Sequence, residues 1–372
     1  IITSYADDAI DKGTTTITGG TFNGAIIADS GADKVTYAVS GGTYATALPE
    51  SYIADESLFY PRADGYAVGV YDNVVEEVKN SEDVAVLYGN KAYADIDEAV
   101  EEGVFFLIGK DGYQTLADAA KAAEDGATIK LLSDATLEAQ LKFEEDKALT
   151  LDLGDNTLKI GAGMGNVCAL DVRSGSLTIV AGENGAINAA DAGDLTVPVG
   201  AMASGALVTI EGGTITVKTN KESCVYAGGG GKVVINGGSF INLCEDPFEY
   251  DKTSPSLAVN VSDSGSGVQM EISGGTFVGR NPILGDTNAN ITESYLAEDV
   301  KVALAADGSF IAFTGEAPAG VEAVYSEGDD GLIADAYTAT AFAAAIESGD
   351  YQTVRLGAQN TLNSHISVTS DV

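Results

Sequence analysis

One seven-residue pattern constrains what this chain can fold into. A β-rich run ends in Gly-Gly, followed by Thr or Ser and then an apolar residue. It occurs as TITGGTF (16–22), AVSGGTY (38–44), TIEGGTI (209–215), VINGGSF (234–240) and EISGGTF (271–277), with TIVAGENGAI (178–187) as a degenerate copy. Ahead of the glycines, apolar residues fall two apart, as in Leu177/Ile179, Val208/Ile210, Val233/Ile235 and Met270/Ile272. That is the period of a strand. Gly-Gly allows a sharp turn with positive φ, and Thr plus an aromatic or β-branched residue starts a new strand. A two-strand unit with a kink, repeated, is what a β-solenoid needs.

The spacing predicts coils. Taking Leu131, Leu153, Ile179, Ile210, Ile235 and Ile272 as inward-facing markers gives intervals of 22, 26, 31, 25 and 37 residues. These suit a right-handed parallel β-helix over 129–290, with loops absorbing the variation. An array of antiparallel hairpins is the alternative, and it needs no fixed marker per unit. Eleven residues before Ile179, Ile210 and Ile235 stand Cys168, Val199 and Cys224, which predicts a second inward ladder. Cys168 and Cys224 would then lie two coils apart, about 9.6 Å, too far for a disulfide. With Cys244 they are expected as free thiols, since the count is odd and no CxxC spacing exists.

A longer repeat joins distant segments. ESYIA (50–54) matches ESYLA (293–297), and YQTLADAAKAAEDGATIKLLSDATL (113–137) matches YTATAFAAAIESGDYQTVRLGAQNTL (337–362). Each long segment reads as an Ala-rich helix, a turn and a strand, with Thr115-x-x-Asp118 as a capping signal. The division expected is the tail of one module at 1–72, an acidic spacer at 73–112, a complete module at 113–315, a linker at 316–336 and the start of a further module at 337–372. The fold class expected is all-β with short helices: tandem right-handed parallel β-helix modules with small α/β spacers. The chain would then be a piece of a longer tandem array.

TIKLLSDATL, LTLDLGDNTL and EISGGTF, in that order, carry a resemblance. Residues 113–315 resemble the pectin-lyase-like parallel β-helix modules of large secreted and surface proteins of gut Clostridia and related Gram-positive bacteria. The resemblance implies an extracellular or cell-surface location. It departs from the usual pattern where DLGDNTL stands in place of a DLNGHTL-like strand, which removes a histidine.

Charge and composition then narrow the function. With 56 Asp and Glu against 19 Lys and Arg, the net charge is -37. Such a surface repels phosphate, which excludes nucleic acid as the expected partner. No apolar run nears the roughly 18 residues of a membrane helix, so no membrane insertion is expected. The β-helix fold houses polysaccharide lyases and hydrolases, but these need cationic substrate clamps and His or Lys bases. Here there are four Arg (Arg62, Arg173, Arg280 and Arg355) and one His, His365. No catalytic residue is expected. Asp152, Asp155, Asp191 and Asp194 stand at turns and are the candidates for calcium, the sole cofactor considered; solvated turn carboxylates are the simpler account. Phe248 and Tyr250, in EDPFEYDK, are the candidates for a partner-contact loop. The aromatic residues after Gly-Gly (Phe22, Tyr44, Phe240 and Phe277) are expected to stack as a packing ladder.

These features favour a non-catalytic structural or adhesive component of a bacterial surface fibre or stalk. Its partners would be neighbouring modules or chains of the same protein, and a host or microbial glycan or protein. The alternatives are a polysaccharide-active enzyme or glycan-binding module, and a phage fibre or tailspike.

Overall fold

The Gly-Gly pattern marks corners between strands. The computed structural model describes residues 13–26, 35–249, 252–253, 255–261, 269–284 and 295–357. The chain divides into two compact units, Ile1–Lys121 and Ala122–Val372. It is mostly β, with a few short helices and long parallel sheets.

In the second unit the chain circulates among three sheets. Sheet I holds Thr128–Leu131, Ala148–Asp152, Ser176–Val180, Leu207–Ile210, Lys232–Ile235 and Gln269–Ile272. Sheet II holds Ala135–Leu137, Thr157–Ile160, Ala186–Ala189, Thr214–Val217, Ser239–Asn242 and Gly275–Val278. Sheet III holds Leu141–Phe143, Val167–Val172, Thr196–Ala201, Val225–Ala227 and Val259–Val261. Each round visits I, II and III, then returns to sheet I one strand further along. Every pairing among these strands is parallel, so the antiparallel hairpin array does not apply to them.

The corner between sheets I and II explains the glycines. The second glycine of the pair has positive φ: 88° at Gly213, 99° at Gly238 and 111° at Gly275. At Gly237 and Gly274 the first glycine runs against the round before it. A Cβ on Gly274 would stand 2.5 Å from the carbonyl oxygen of Asn236. Both positions therefore exclude side chains, one by conformation and one by contact.

Apolar residues stack in register behind these corners. Ile179, Ile210, Ile235 and Ile272 are direct partners in successive strands and fully buried. The ladder continues through Leu151 and Ile129, not through Leu153 and Leu131 as the spacing predicted. Leu131 and Leu153 are buried one pleat further on, Leu131 as the last residue of its strand and Leu153 just past the end of its own. A shift of two residues keeps a side chain on the same face, so the inward assignment survives the error in register. In sheet II, Leu158, Ile187, Ile215, Phe240 and Phe277 form the matching ladder. The Phe240 and Phe277 rings stack with centroids 5.1 Å apart and planes within 10°. Each buried aliphatic side chain contributes about 1.5–3 kcal/mol.

The cysteine ladder is also corrected. Cys168 pairs with Val197, and Val199 pairs with Leu170 and Val225. Loop lengths differ between rounds, so a fixed count back from sheet I does not land on one rung of sheet III. Cys168 and Cys224 are buried, Cys244 is half-buried, and all three are free thiols.

Past the last round the pairing turns antiparallel. Gly275–Val278 pairs with Phe310–Phe313, which pairs with Lys301–Leu304. That strand pairs with Ala323–Gly328, whose hairpin partner is Gly331–Ala336. Residues 316–336, expected as a linker, thus contain a hairpin built into the sheet. The helix Ala339–Ser348 follows, capped by the Thr338 hydroxyl, which accepts from the Ala341 amide at 3.1 Å. Thr353–Leu356 then runs parallel to Gly331–Ala336. His365 lies outside the described residues.

The first unit opens with two copies of the Gly-Gly pattern in parallel register, Gly13–Phe22 on Val35–Tyr44. Phe22 and Tyr44 stack at 4.9 Å with planes within 4°. Three hairpins, each followed by a short helix, come next. They are Ser57–Arg62 with Gly65–Val70 and helix Tyr71–Asn80; Val86–Tyr88 with Lys91–Tyr93 and helix Ile96–Glu101; and Phe106–Ile108 with Asp111–Tyr113 and helix Leu116–Ala122. The expected spacer, 73–112, is therefore part of a repeat, and its boundary at 112/113 would cut a strand. Successive hairpins are linked alike: the Phe59 amide donates to the Asn90 carbonyl at 2.9 Å, and the Leu87 amide donates to the Lys110 carbonyl at 2.7 Å. Thr115 accepts from the Asp118 amide at 3.1 Å and donates its hydroxyl to the Asp118 carboxylate at 2.6 Å. That realises half of the expected capping box.

Candidate functional site

An aspartate inside an apolar strand gives the site its chemistry. VCALDV (167–172) belongs to sheet III, where Leu170 and Val172 belong to the buried ladder and Asp171 is buried too. A buried carboxylate needs compensation. Arg173 supplies it, with Nε and Nη2 each 2.9 Å from Asp171 Oδ2. The Gln140 amide donates to the same oxygen at 3.0 Å and to the Cys168 carbonyl at 3.0 Å. Three donors converge on Oδ2. Oδ1 is equally buried and, among the described residues, has no hydrogen-bond partner.

Asp171 borders a cavity of about 360 Å³ formed by sheet III and the residues flanking its strands. The polar wall is Gln140, Asn166, Asp171, Arg173 and Glu222; the apolar wall is Val167, Leu195, Val197 and Met202; Cys168 and Tyr226 complete it. These residues come from four successive rounds. Gly200, the register partner of Asp171, keeps the space open. A Cβ there would stand 2.9 Å from the Tyr226 carbonyl oxygen, 3.0 Å from Cys168 Sγ and 3.1 Å from Met202 Sδ.

Two groups here have displaced proton affinities. Burial pushes the Glu222 carboxyl up to about 7. Among the described residues no cation pairs with it. Cys168 is pushed well above the usual thiol range, first by burial and then by the charges of Asp171 and Glu222. It stays a neutral thiol near pH 7, which is not the form of a nucleophile. The Cys168 thiol lies 3.2 Å from the Leu170 carbonyl.

The residues singled out in the sequence do not meet at this cavity. Phe248 is fully buried, so its ring packs inside rather than facing a partner. Tyr250 lies outside the described residues. Asp152 Oδ1 accepts from the Gly154 amide at 3.0 Å, and Asp155 Oδ1 accepts from the Asn184 amide at 3.0 Å, so both order turns. Asp191 lies 3.7 Å from Lys159 Nζ, and Asp194 lies 3.9 Å from Lys221 Nζ. Asp152 and Asp155 stand at a corner between sheets I and II, and Asp191 and Asp194 at one between sheets II and III. Among the described residues no three His, Cys, Asp or Glu side chains gather as a metal ligand set. No described helix is long and apolar enough to cross a membrane. The signal that finds the cavity was present in the sequence: a charged residue at a buried strand position, with Arg two residues on.

Compared with family profiles, curated proteins and solved structures, the chain gives no match.

Proposed function

We propose that residues 128–278 form a right-handed parallel β-helix, and that the chain is a non-catalytic structural or adhesive part of a bacterial extracellular fibre or stalk. One observation carries this reading: successive rounds stack in register, residue on like residue, in three sheets. Such stacking lengthens by about 4.8 Å per added round without changing its cross-section. A net charge of -37 keeps such elements apart in solution and turns them away from nucleic acid. The resemblance of TIKLLSDATL, LTLDLGDNTL and EISGGTF to surface β-helix modules agrees with this role. The test is to label intact source cells with an antibody against residues 122–372, before and after protease shaving. Surface signal lost on shaving is the expected result; label confined to lysed cells defeats the proposal.

A polysaccharide-active enzyme is the second reading, and one observation favours it. Asp171 and Glu222 border one cavity, and the Glu222 carboxyl titrates near 7, as a glycosidase acid does. Incubation with uronate and neutral glycan panels, read by released reducing ends, separates the two readings. Turnover abolished by Glu222→Gln would establish the enzyme.

A further inference from the structure

We propose that the chain cuts itself in mild acid at one peptide bond, Asp246–Pro247, with Ser256 as the donor that stabilises the attacked carbonyl. Of seven prolines, Pro247 alone follows an aspartate. That pairing is chemically weak. An aspartate carboxyl can close a five-membered ring onto its own carbonyl carbon, and the proline nitrogen is the most basic amine a peptide bond can release. The fold adds what the pairing lacks. The Ser256 hydroxyl donates to the Asp246 carbonyl oxygen at 2.6 Å. Ser256 is only 2% exposed, so a fixed protein donor stands where water would otherwise bind that oxygen. Asp246 and Pro247 are both exposed, so water reaches the bond itself.

Both arms of the loop are anchored, which keeps donor and carbonyl in place. Asn242 ties them together: its Oδ1 accepts from the Cys244 amide at 3.1 Å, and its Nδ2 donates to the Leu257 carbonyl at 3.0 Å. The Arg280 amide donates to the Ser256 carbonyl at 3.2 Å. Beyond the proline, Phe248 is fully buried and the Glu249 amide donates to the Asn220 carbonyl at 2.6 Å. In the reaction a carboxyl oxygen of Asp246 attacks the carbonyl carbon of the same residue. A C–O bond forms, the C–N bond to Pro247 breaks, and the carboxyl proton passes to the proline nitrogen. The cyclic anhydride left at Asp246 is opened by water to two carboxyls. Negative charge gathers in this step on the carbonyl oxygen that Ser256 holds. The protonated carboxyl is consumed, so acid speeds the cut. Strands on either side of the break remain paired, Val225–Ala227 with Val259–Val261 and Lys232–Ile235 with Gln269–Ile272, so the two pieces stay joined until denatured. The inference holds whether or not the stacked rounds serve as a stalk.

The test holds the full chain at pH 5 and at pH 7.5 and follows it by denaturing gel and mass spectrometry. Two fragments are expected, one ending at Asp246 and one beginning at Pro247, formed faster at pH 5 and at a rate independent of chain concentration. The chain unfolded in urea at the same pH supplies the bare chemical rate, and the folded chain should exceed it at least about tenfold. Ser256→Ala should bring the folded chain down to near the unfolded rate, and Ser256→Thr, which keeps the hydroxyl, should restore it. Asp246→Ala, at an exposed position, should abolish the cut. Melting temperatures check that each variant folds. Equal rates in the folded and unfolded chain, a Ser256→Ala chain that cuts as fast as the wild type, or an intact wild type at pH 5 would each overturn the proposal.

Discussion

The stacked rounds of 128–278 and the hairpin–helix units of 57–122 both repeat, but they are held together differently. In the rounds, parallel strands share up to five successive partners, as between Ala148–Asp152 and Ser176–Val180. Like side chains stack on like, and the core is a set of ladders. In the hairpin–helix units, the parallel link between neighbours is a single bridge, Phe59 to Lys91 and then Leu87 to Asp111. Short helices and close glycine contacts supply the remaining packing. Stability in the first region therefore resides in large inward side chains. In the second it resides in a compact cluster of Leu58, Val78, Val84, Leu87 and Ala92, together with glycines at points of close contact. The two regions should differ in which substitutions reach their packing first.

The largest effect is expected at Ile210, fully buried with partners on both sides. Ile210→Asp places an uncompensated charge inside the ladder and should cost more than about 4 kcal/mol. Hydrogen exchange should show protection lost across 176–240. An unchanged urea midpoint would mean that Ile210 does not face inward. Next is Phe240→Ala, which removes one ring of a stacked pair and leaves a cavity, at about 3–4 kcal/mol. If Phe240→Ala costs less than 1 kcal/mol, the ladder is not where stability resides, and the contrast between the regions collapses.

The two regions also differed in how much their sequence disclosed. Corners and inward faces of the rounds were legible because Gly-Gly fixes the corner and alternation fixes the face. Register was not: Ile129 and Leu151 hold the rung assigned to Leu131 and Leu153, because a two-residue slip leaves the pattern unchanged. The hairpins at 86–113 were missed for a different reason. Strands of three residues, such as Val86–Tyr88 and Phe106–Ile108, span barely one period and show no alternation. Their turn glycines, Gly89 and Gly109, were the available signal; their φ values of 59° and 60°, followed by Asn90 and Lys110 with negative φ, fit type II′ turns. The cavity was not legible because turn carboxylates are the obvious ligand candidates, whereas Asp171 lies within a strand. Phe248 looked like a contact residue because its neighbours are charged, yet it is fully buried.

The counterpart in the hairpin–helix region is Gly112. A Cβ there would stand 2.6 Å from Val104 Cγ1 and 2.9 Å from Val86 Cγ1. Gly112→Ala adds one methyl group and should destabilise by about 1–3 kcal/mol through overpacking. The loss should appear in hydrogen exchange over 86–113 and leave 176–240 protected. Pairing Gly112→Ala with Val104→Ala should recover part of it, since the second change makes room. A neutral or stabilising Gly112→Ala would show that these units pack loosely, and that glycine there serves only the chain's flexibility.

The smallest effect expected is a pH dependence confined to the rounds. Glu222 titrates near 7 in the folded chain against its ordinary 4.5, because burial disfavours the charged form. Cys168, Asp171, Arg173 and Tyr226 share its cavity, and burial is the cause of the shift. Between these two values the folded state keeps a proton that the unfolded state has released. Folding is therefore favoured most below about pH 4.5 and loses that advantage as pH rises through 7. Because the carboxyl is partly exposed, the loss should amount to about 1–2 kcal/mol rather than the full value of the shift. In the hairpin–helix region the displaced groups are Lys79, raised above 10.5 by its contact with Asp111, and Tyr93, pushed up to about 12 by burial. Both titrate far above this window. Urea midpoints at pH 5 and pH 7.5 should therefore differ in the wild type, and the difference should shrink in Glu222→Gln. If the slope persists in that variant, its source is another carboxyl, and Glu222 is better solvated than the cavity geometry implies.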